Sequence, residues 1–162
     1  MRLLITGTPG VGKTAVAKEI SRKLKLKVIN ETQFALQKGI GTWDEVENEL
    51  EVPVKRLETE LNRHLKKHDG AIIEGHLLCE TRLKVDYAVL IRVNPELLEM
   101  RLERKGYRPE KIMDNVFCEG IDYCKKHLAR RYKAGKIIEV HSGKNIKETA
   151  DNIVRKLKEA GF

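Results

Sequence analysis

The chain has 162 residues, of which 41% are hydrophobic, so its length and composition suit a folded domain rather than a disordered or fibrous protein. Charged residues make up 35% of the sequence and the formal net charge is +8, so a basic surface can hold phosphate ligands or nucleic acid. Because the cations are scattered and only 5% of the residues are aromatic, no stacking platform for single strands is indicated, and a soluble basic enzyme is favoured over a dedicated nucleic-acid binder.

The cysteines and the apolar runs indicate where the chain works. Cys79, Cys118 and Cys124 show no C-x-x-C spacing, and an odd number of spread cysteines is typical of a reducing compartment. No apolar run approaches the ~20 residues that a membrane span requires. The first predicted strand starts at the N-terminus without a signal-peptide pattern, and no repeat or linker is visible. We therefore expect one cytoplasmic domain over residues 1–162, with no membrane attachment.

The first predicted elements enclose a glycine-rich loop. Residues 3–5 predict a short buried strand, and apolar positions from Ala15 to Leu24 follow helical spacing. Between them, GTPGVGKT at 7–14 matches the phosphate-loop pattern G-x-x-x-x-G-K-[ST] at every fixed position. The glycines allow a run of backbone N–H groups to point into one concavity, and the helix start adds its positive dipole end. The sequence therefore predicts a nucleoside triphosphate site.

Each residue type in this loop has a predicted role. Lys13 supplies a mobile cation for the β- and γ-phosphates, and Thr14 offers a hydroxyl to Mg²⁺. The predicted ATP-binding residues in this part of the chain are Gly10, Val11, Gly12, Lys13, Thr14 and Ala15. The motif alone leaves open which acceptor takes the γ-phosphate.

A second short strand is predicted at residues 27–29. Asn30 to Gln33 then form a polar turn at its carboxyl end, where open α/β sheets bind ligands. Residues 34–41 carry apolar side chains among Gly39 and Gly41. We expect them to form a small, mobile insert with a loop rather than part of the sheet.

Five acids follow between residues 43 and 51. A solvated helical face is the favoured interpretation of this run, and an acidic wall around an acceptor site is the alternative. Pro53 suits the first turn of a further helix, whose apolar stripe runs from Val54 to Leu65. We expect that helix to end near Asp69, with Gly70 as its C-cap.

A third strand, at residues 71–73, carries Glu74, Gly75 and His76 at its carboxyl end. Phosphate-loop enzymes keep a second acid at this place for the Mg²⁺ shell or for the attacking group. Glu74 is therefore a candidate metal ligand acting through water. His76 is a candidate for orienting a water or a phosphate, and an ordinary hydrogen-bonded loop histidine is the alternative.

A fourth strand is predicted at residues 87–93, followed by a helix with Asn94 as N-cap and Pro95 in its first turn. Gly106 and Tyr107 break this helix, and Pro109 opens the next, whose apolar spacing continues to Leu128. Four cations surround the break: Arg101, Arg104, Lys105 and Arg108. They suit a lid that closes over phosphates and excludes water, although cations also favour an ordinary helix C-terminus.

The last predicted elements are a strand at residues 137–140 and a helix capped by Asn145, with Glu148 completing a capping box. Strands and helices thus alternate in five units. This order predicts an α/β fold in which a five-stranded parallel sheet lies between helices.

These motifs resemble one family, the small adenylate kinases of archaea and of the eukaryotic nucleus, known as the adenylate kinase 6 branch. The resemblance covers nearly the whole chain. It is carried by GTPGVGKT at 7–14, VIN at 28–30, the acid-x-His at 74–76, and RLERKGYRPEKIMDNV at 101–116.

The resemblance implies a P-loop NTPase kinase fold with a nucleoside-monophosphate-binding insert near residues 30–50 and a short lid near 104–114. It implies a monomer that transfers a phosphoryl group reversibly from MgATP to AMP, giving two ADP. The residues that match the family's motifs have four implied roles. Catalysis is assigned to Lys13, Arg104, Glu74 and His76, and ATP binding is also assigned to Lys105. The monophosphate is assigned to Asn30 and Gln33, and Mg²⁺ is assigned to Thr14 and Glu74.

The resemblance also implies ATPase activity and a part in ribosome biogenesis. Members of the branch act in small-subunit maturation and rRNA processing, bound to a small-subunit ribosomal protein within a pre-ribosomal particle. An assembly factor whose ATP cycle switches its grip on that protein is one alternative to the kinase. A kinase of another small acceptor is a second, and a hydroxyl acceptor would require a base, for which Glu74 is available.

The chain departs from the family at three positions. Glu74 stands where the family has Asp, Leu36 stands where some members carry an arginine, and Lys105 replaces a lid arginine. The sequence therefore predicts that acceptor recognition uses other cations or the backbone. It also predicts that Arg104 or Arg108 takes over the role of the lid arginine.

Overall fold

A parallel sheet forms the centre of the protein, whose computed structural model describes residues 1–162. Its strands are β1 (Arg2–Thr6), β2 (Lys27–Asn30), β5 (Ala71–Glu74), β6 (Tyr87–Arg92) and β7 (Ile137–His141), and a separate hairpin contains β3 (Thr42–Asp44) and β4 (Glu49–Glu51). The strand order in the sheet is β2-β5-β1-β6-β7. The predicted five-stranded parallel sheet is thus confirmed, and all its carboxyl ends lie at one edge.

Seven helices flank the sheet and pack on its two faces. They are α1 (Lys13–Leu24), α2 (Glu31–Gln37), α3 (Val54–Lys66), α4 (Pro95–Arg104), α5 (Pro109–Gly120), α6 (Tyr123–Arg131) and α7 (Ile146–Glu159). The predicted caps are present, because Asn94 accepts from the N–H of Glu96 and Asn145 accepts from those of Lys147 and Glu148. None of the helices combines the length and the apolar character that a bilayer crossing requires.

The core is divided by the sheet. Because successive side chains of a strand point to opposite faces, Leu3 and Ile5 of β1 pack with α1 and α7, whereas Leu4 packs with α2 and α3. All three side chains are fully buried. The strand that leads into the following loop is therefore anchored by apolar clusters on both faces of the sheet.

The segment between β2 and α3 differs from the prediction. The polar turn expected at Asn30–Gln33 is the start of α2, where Asn30 caps the helix by accepting from the Gln33 N–H at 3.0 Å. The acids at 43–51 lie on the hairpin rather than on a helix. Asp44 accepts from the N–H groups of Val46 and Glu47, and this local bonding closes a turn instead of continuing a helix.

Two predicted helix boundaries are also wrong. Helix α3 ends at Lys66 with Lys67 as its C-cap, so Gly70 has no capping role. The helix expected to run from Pro109 to Leu128 is divided between α5 and α6, because Asp122 adopts a left-handed conformation with φ of 60°. Its carboxylate pairs there with Arg92 at the end of β6, and this tertiary contact interrupts the helical pattern.

Candidate functional site

The phosphate loop joins β1 to α1 through backbone conformations that require glycine. Gly10 and Gly12 have φ of 93° and 95°, in the left-handed region. Gly12 is the N-cap of α1 and provides no side-chain cap, so the first N–H groups of the helix remain available to an anion. The side chain of Val11 is fully buried and fixes the loop to the core.

A cavity of about 310 Å³ lies over this loop and forms a phosphate cradle. Its lining contains six predicted ATP-binding residues and adds Lys18, which the sequence analysis did not single out: Gly10, Gly12, Lys13, Thr14, Ala15, Lys18 and Lys105. Arg104 lies outside the cradle, exposed on the last turn of α4. Of the predicted lid cations Arg104 and Lys105, Lys105 is the one that lines the cradle.

Lys13 is buried inside its own loop. Its Nζ donates to the carbonyl oxygens of Gly7 at 2.9 Å and Thr8 at 3.0 Å. Burial lowers the pKa of this amine, and the carboxylates of Glu31 and Glu74 act in the opposite direction. Phosphate oxygens entering the cradle would replace these carbonyl partners with stronger, charged acceptors.

Glu74 connects three of the predicted site residues. It is 1% exposed, and its Oε1 accepts from the Thr14 hydroxyl at 3.1 Å and from the Asn30 amide at 2.6 Å. The predicted metal pair, Thr14 and Glu74, is thus brought together at the carboxyl end of β5. No cluster of three or more His, Cys, Asp or Glu side chains forms a complete metal site. A hydroxyl and one carboxylate fit Mg²⁺, which keeps waters and takes most other ligands from substrate phosphates.

His76 is held by a carboxylate that the sequence analysis missed. Its Nδ1 lies 2.9 Å from Oε1 of Glu31, the first residue of α2. The backbone N–H groups of His76 and Leu77 donate to the same carboxylate, at 3.0 Å and 3.1 Å. The side chain of His76 remains 44% exposed.

A second cleft, of about 700 Å³, opens on the other side of the phosphate loop. The hairpin forms one wall, with Trp43 and Leu50 directly opposite each other in the strand register. The remaining lining comes from the loop, from α2, from the segment after β5 and from α5: Pro9, Thr32, His76, Leu77, Tyr107, Lys111, Asp114 and Asn115. Asn30 and Gln33, the predicted monophosphate ligands, do not line it. The side chain of Asn30 instead donates to Glu74 and accepts from the Gln33 N–H.

Two ion pairs connect the hairpin to the predicted lid. Arg108 lies 2.7 Å from Glu47, and Lys111 lies 2.8 Å from Glu49. The pair with Glu47 raises the pKa of the Arg108 guanidinium. Two of the five acids at 43–51, Glu47 and Glu49, therefore face the cations after the helix break. An acidic wall around an acceptor site, the alternative interpretation of this run, stays a prediction.

A buried network anchors α5 to the phosphate loop. Glu119, 3% exposed, accepts from the Thr8 hydroxyl at 2.6 Å and from Nε of Arg92 at 2.7 Å. Arg101 supports the loop from α4 by donating to the carbonyl oxygens of Gly10 and Val11. A single acid at the end of an amphipathic helix gives no sequence signal for such a contact, since its partners lie far away in the chain.

Comparisons with known proteins agree with this arrangement. A family model described as "AAA domain" matches residues 3–122. A protein of Methanocaldococcus jannaschii is 32% identical, over 98% of this chain and 86% of its own length. A protein of Thermococcus kodakarensis is 40% identical, over 75% of this chain and 66% of its own length. Both relatives carry the name "Putative adenylate kinase". The solved shikimate kinase of Acinetobacter baumannii superposes with a TM-score of 0.68 over 99% of this chain and 94% of that chain, at 15% identity, which shows a shared fold.

Proposed function

Since the chain belongs to the AAA domain family of P-loop kinases and, within it, to the group of archaeal adenylate kinase homologues, we propose that it transfers a phosphoryl group reversibly from MgATP to AMP, giving two ADP. The segment 30–50 serves as the monophosphate-binding insert, and 104–114 serves as the lid. The activity follows from how the phosphate loop separates two binding spaces.

The observation that carries this proposal is the position of two consecutive residues. Pro9 lines the larger cleft and Gly10 lines the phosphate cradle. A donor in the cradle and an acceptor in the cleft therefore meet across one turn of the backbone. Such proximity supplies much of the catalysis in phosphoryl transfer, where positioning and charge stabilisation dominate.

On the donor side, the loop N–H groups, Lys13, Lys18 and Lys105 hold the phosphates of ATP. Thr14 and Glu74 would hold Mg²⁺, which would supply positive charge to the transferring group. Asn30 holds the Glu74 carboxylate in place through its amide, at 2.6 Å. Arg104, exposed at the end of α4, lies close enough in sequence to the break at Gly106 to join these cations when the lid closes.

On the acceptor side, the cleft suits a nucleotide. Trp43 and Tyr107 provide aromatic surfaces for a base, while Lys111 provides a cation for the acceptor phosphate. A monophosphate is already ionised, so its attacking oxygen needs no general base. Leu36, which is 56% exposed, contributes no charge, and the cations of the lid take that role.

The finer biological role proposed here is a part in small ribosomal subunit maturation, with ATP hydrolysis accompanying the transfer. The support is the resemblance of the motifs and a group of exposed cations on α6, Lys125, Lys126 and Arg130, which suit a partner within a ribonucleoprotein particle. Nucleotide-dependent co-purification with a small-subunit ribosomal protein tests this role separately from the chemistry.

The test of the kinase is product formation from MgATP with and without AMP, followed by nucleotide chromatography. We expect ADP to appear rapidly only with AMP, at two ADP for each ATP consumed. Lys13→Ala should lower the rate about 100- to 1,000-fold, because it removes a cation aimed at the transferring phosphoryl group. A panel with other monophosphates and with hydroxyl metabolites defines the acceptor.

ADP and free phosphate accumulating at the same rate without AMP would contradict the kinase and favour the ATPase-type assembly factor. Near-normal transfer by the Lys13→Ala variant would contradict the assignment of the cradle.

A further inference from the structure

Glu31 occupies a place that an ordinary helix N-terminus does not explain. It is the first residue of α2, yet its side chain is only 3% exposed and turns toward the segment after β5. There it accepts from the backbone N–H groups of His76 and Leu77 and lies 2.9 Å from Nδ1 of the His76 ring. Burying a carboxylate is costly unless such donors compensate it, so the contact is specific.

Gly75 makes this contact possible. A Cβ at this position would overlap the carboxyl group of Glu31, and the φ of Gly75 is not in the left-handed region, so the requirement is for space alone. The last residue of β5 and the two that follow it thus have separate tasks: Glu74 binds Thr14, Gly75 leaves space for Glu31, and His76 lines the cleft.

The carboxylate also fixes which ring nitrogen of His76 carries the proton. A carboxylate oxygen 2.9 Å from Nδ1 favours a proton on that nitrogen, because two lone pairs at this distance repel each other. In a neutral imidazole, Nε2 then keeps its lone pair and accepts a hydrogen bond. His76 is among the residues that line the larger cleft, and its side chain is 44% exposed.

We propose that Glu31 is a positioning residue that holds His76 with Nε2 as a hydrogen-bond acceptor in the larger cleft, for a water molecule next to the transferring group. Glu31 itself touches no substrate, because it is buried behind the ring. The inference rests on the proposed function in taking the cleft as the acceptor site. It goes beyond that function because it assigns a role to Glu31, which acts only through His76.

Kinetics test the proposal through a double-mutant cycle of Glu31→Gln and His76→Gln. We expect Glu31→Gln to lower kcat for transfer about 10- to 100-fold, as for other partners that orient a catalytic group, with the KM for MgATP unchanged. In the His76→Gln background the same change should have no further effect, because its route of action is gone. An undiminished effect in that background would overturn the proposal and leave Glu31 a purely structural residue.

Glu58→Gln is the matched control. Its carboxylate also accepts from a backbone N–H, that of Arg82 at 2.7 Å, but lies outside the larger cleft. This variant should leave kcat unchanged. Thermal unfolding of each variant shows whether a loss of activity reflects a loss of folded protein, and a folded Glu31→Gln protein with full kcat would also overturn the proposal.

A second measurement does not depend on activity. In protein labelled with ¹⁵N-histidine, at a pH where the imidazoles are neutral, the His76 resonances should show a protonated Nδ1 and an unprotonated Nε2, and His76→Gln identifies them among the five histidines. A protonated Nε2 would overturn the proposal. If the wild-type protein shows this tautomer but fails to phosphorylate AMP, the positioning stands and the proposed kinase function fails.

Discussion

At the scale of single residues, Lys13 predicts a pH effect on nucleotide binding. Burial holds the pKa of its amine below 10.5 in the free protein. Phosphates in the cradle favour the charged form and raise that pKa again. In the pH range just below 10.5, binding of MgADP should therefore take up protons. Calorimetry in two buffers of different ionisation enthalpy measures this uptake.

Lys13→Arg is the control for that measurement. A guanidinium stays protonated throughout this range, so the variant should take up fewer protons on binding MgADP than the wild type does. Equal uptake by both proteins would assign the proton to another group of the cradle.

Trp43 predicts where the acceptor base lies. Stacking on an aromatic ring contributes about 1–3 kcal/mol per base, so Trp43→Ala should raise the KM for AMP about 5- to 100-fold while the KM for MgATP stays unchanged. Trp43→Phe should keep most of the affinity. Val46→Ala alters a hairpin residue that is 77% exposed and outside the cleft, and it should have no effect. Equal KM values for AMP in all variants would remove Trp43 from the acceptor site.

Sequence reasoning found some site residues and missed others for a physical reason. Gly10, Lys13 and Thr14 follow from local spacing, because a loop that wraps phosphates with backbone N–H groups tolerates few sequences. Glu31 and Glu119 act through partners 45 and 111 positions away, His76 and Thr8. Only the folded chain brings such pairs together.

At the scale of elements, the contact between the hairpin and α5 depends on charge. Glu47 and Glu49 pair with Arg108 and Lys111 across the larger cleft. The double variant Glu47→Gln, Glu49→Gln should exchange the amide hydrogens of residues 42–51 faster than the wild type. At about 1 M salt, where the screening length is about 3 Å, the two proteins should exchange alike.

Glu45→Gln is the control for this contact. It removes one of the negative charges of the same hairpin, but Glu45 has no ion-pair partner on the lid. Exchange that is equally fast in this variant would mean that overall charge, rather than the two pairs, determines how the hairpin opens.

The elements that sequence patterns identified are those formed by local preferences. The five sheet strands are short apolar runs, and Asn94 and Asn145 marked two helix starts. The hairpin was missed because its acids resemble a solvated helical face, although Asn48, with φ of 51°, supplied a turn signal. The division between α5 and α6 depends on Arg92, which no local pattern contains.

At the scale of the whole molecule, the family match and the folded unit differ in extent. The match ends at residue 122, but β7 and α7 complete the sheet and cover α1, the helix that carries Lys13. Five buried apolar residues of β7 and α7 lie beyond the match: Ile138, Val140, Ala150, Ile153 and Leu157. At about 1.5–3 kcal/mol for each larger side chain, their burial is comparable to the whole stability of a domain, about 5–15 kcal/mol.

A fragment of residues 1–122 should therefore lack a cooperative thermal transition and fail to bind MgADP. Circular dichroism during heating and calorimetry measure the two properties. Removal of only Gly161 and Phe162, which follow α7, should leave both intact. A fragment that unfolds cooperatively would show that β7 and α7 are dispensable for folding.

The close approach of Gly75 to Glu31 affects how natural variation in this chain should be interpreted. Gly75→Ala adds a single methyl group at a position that lines neither binding space, and a scale of chemical similarity would rank it among the mildest replacements. The added carbon would nevertheless displace the Glu31 carboxylate and release the His76 ring. A substitution that looks conservative could thus remove a chemical function while the ligand-lining residues remain unchanged.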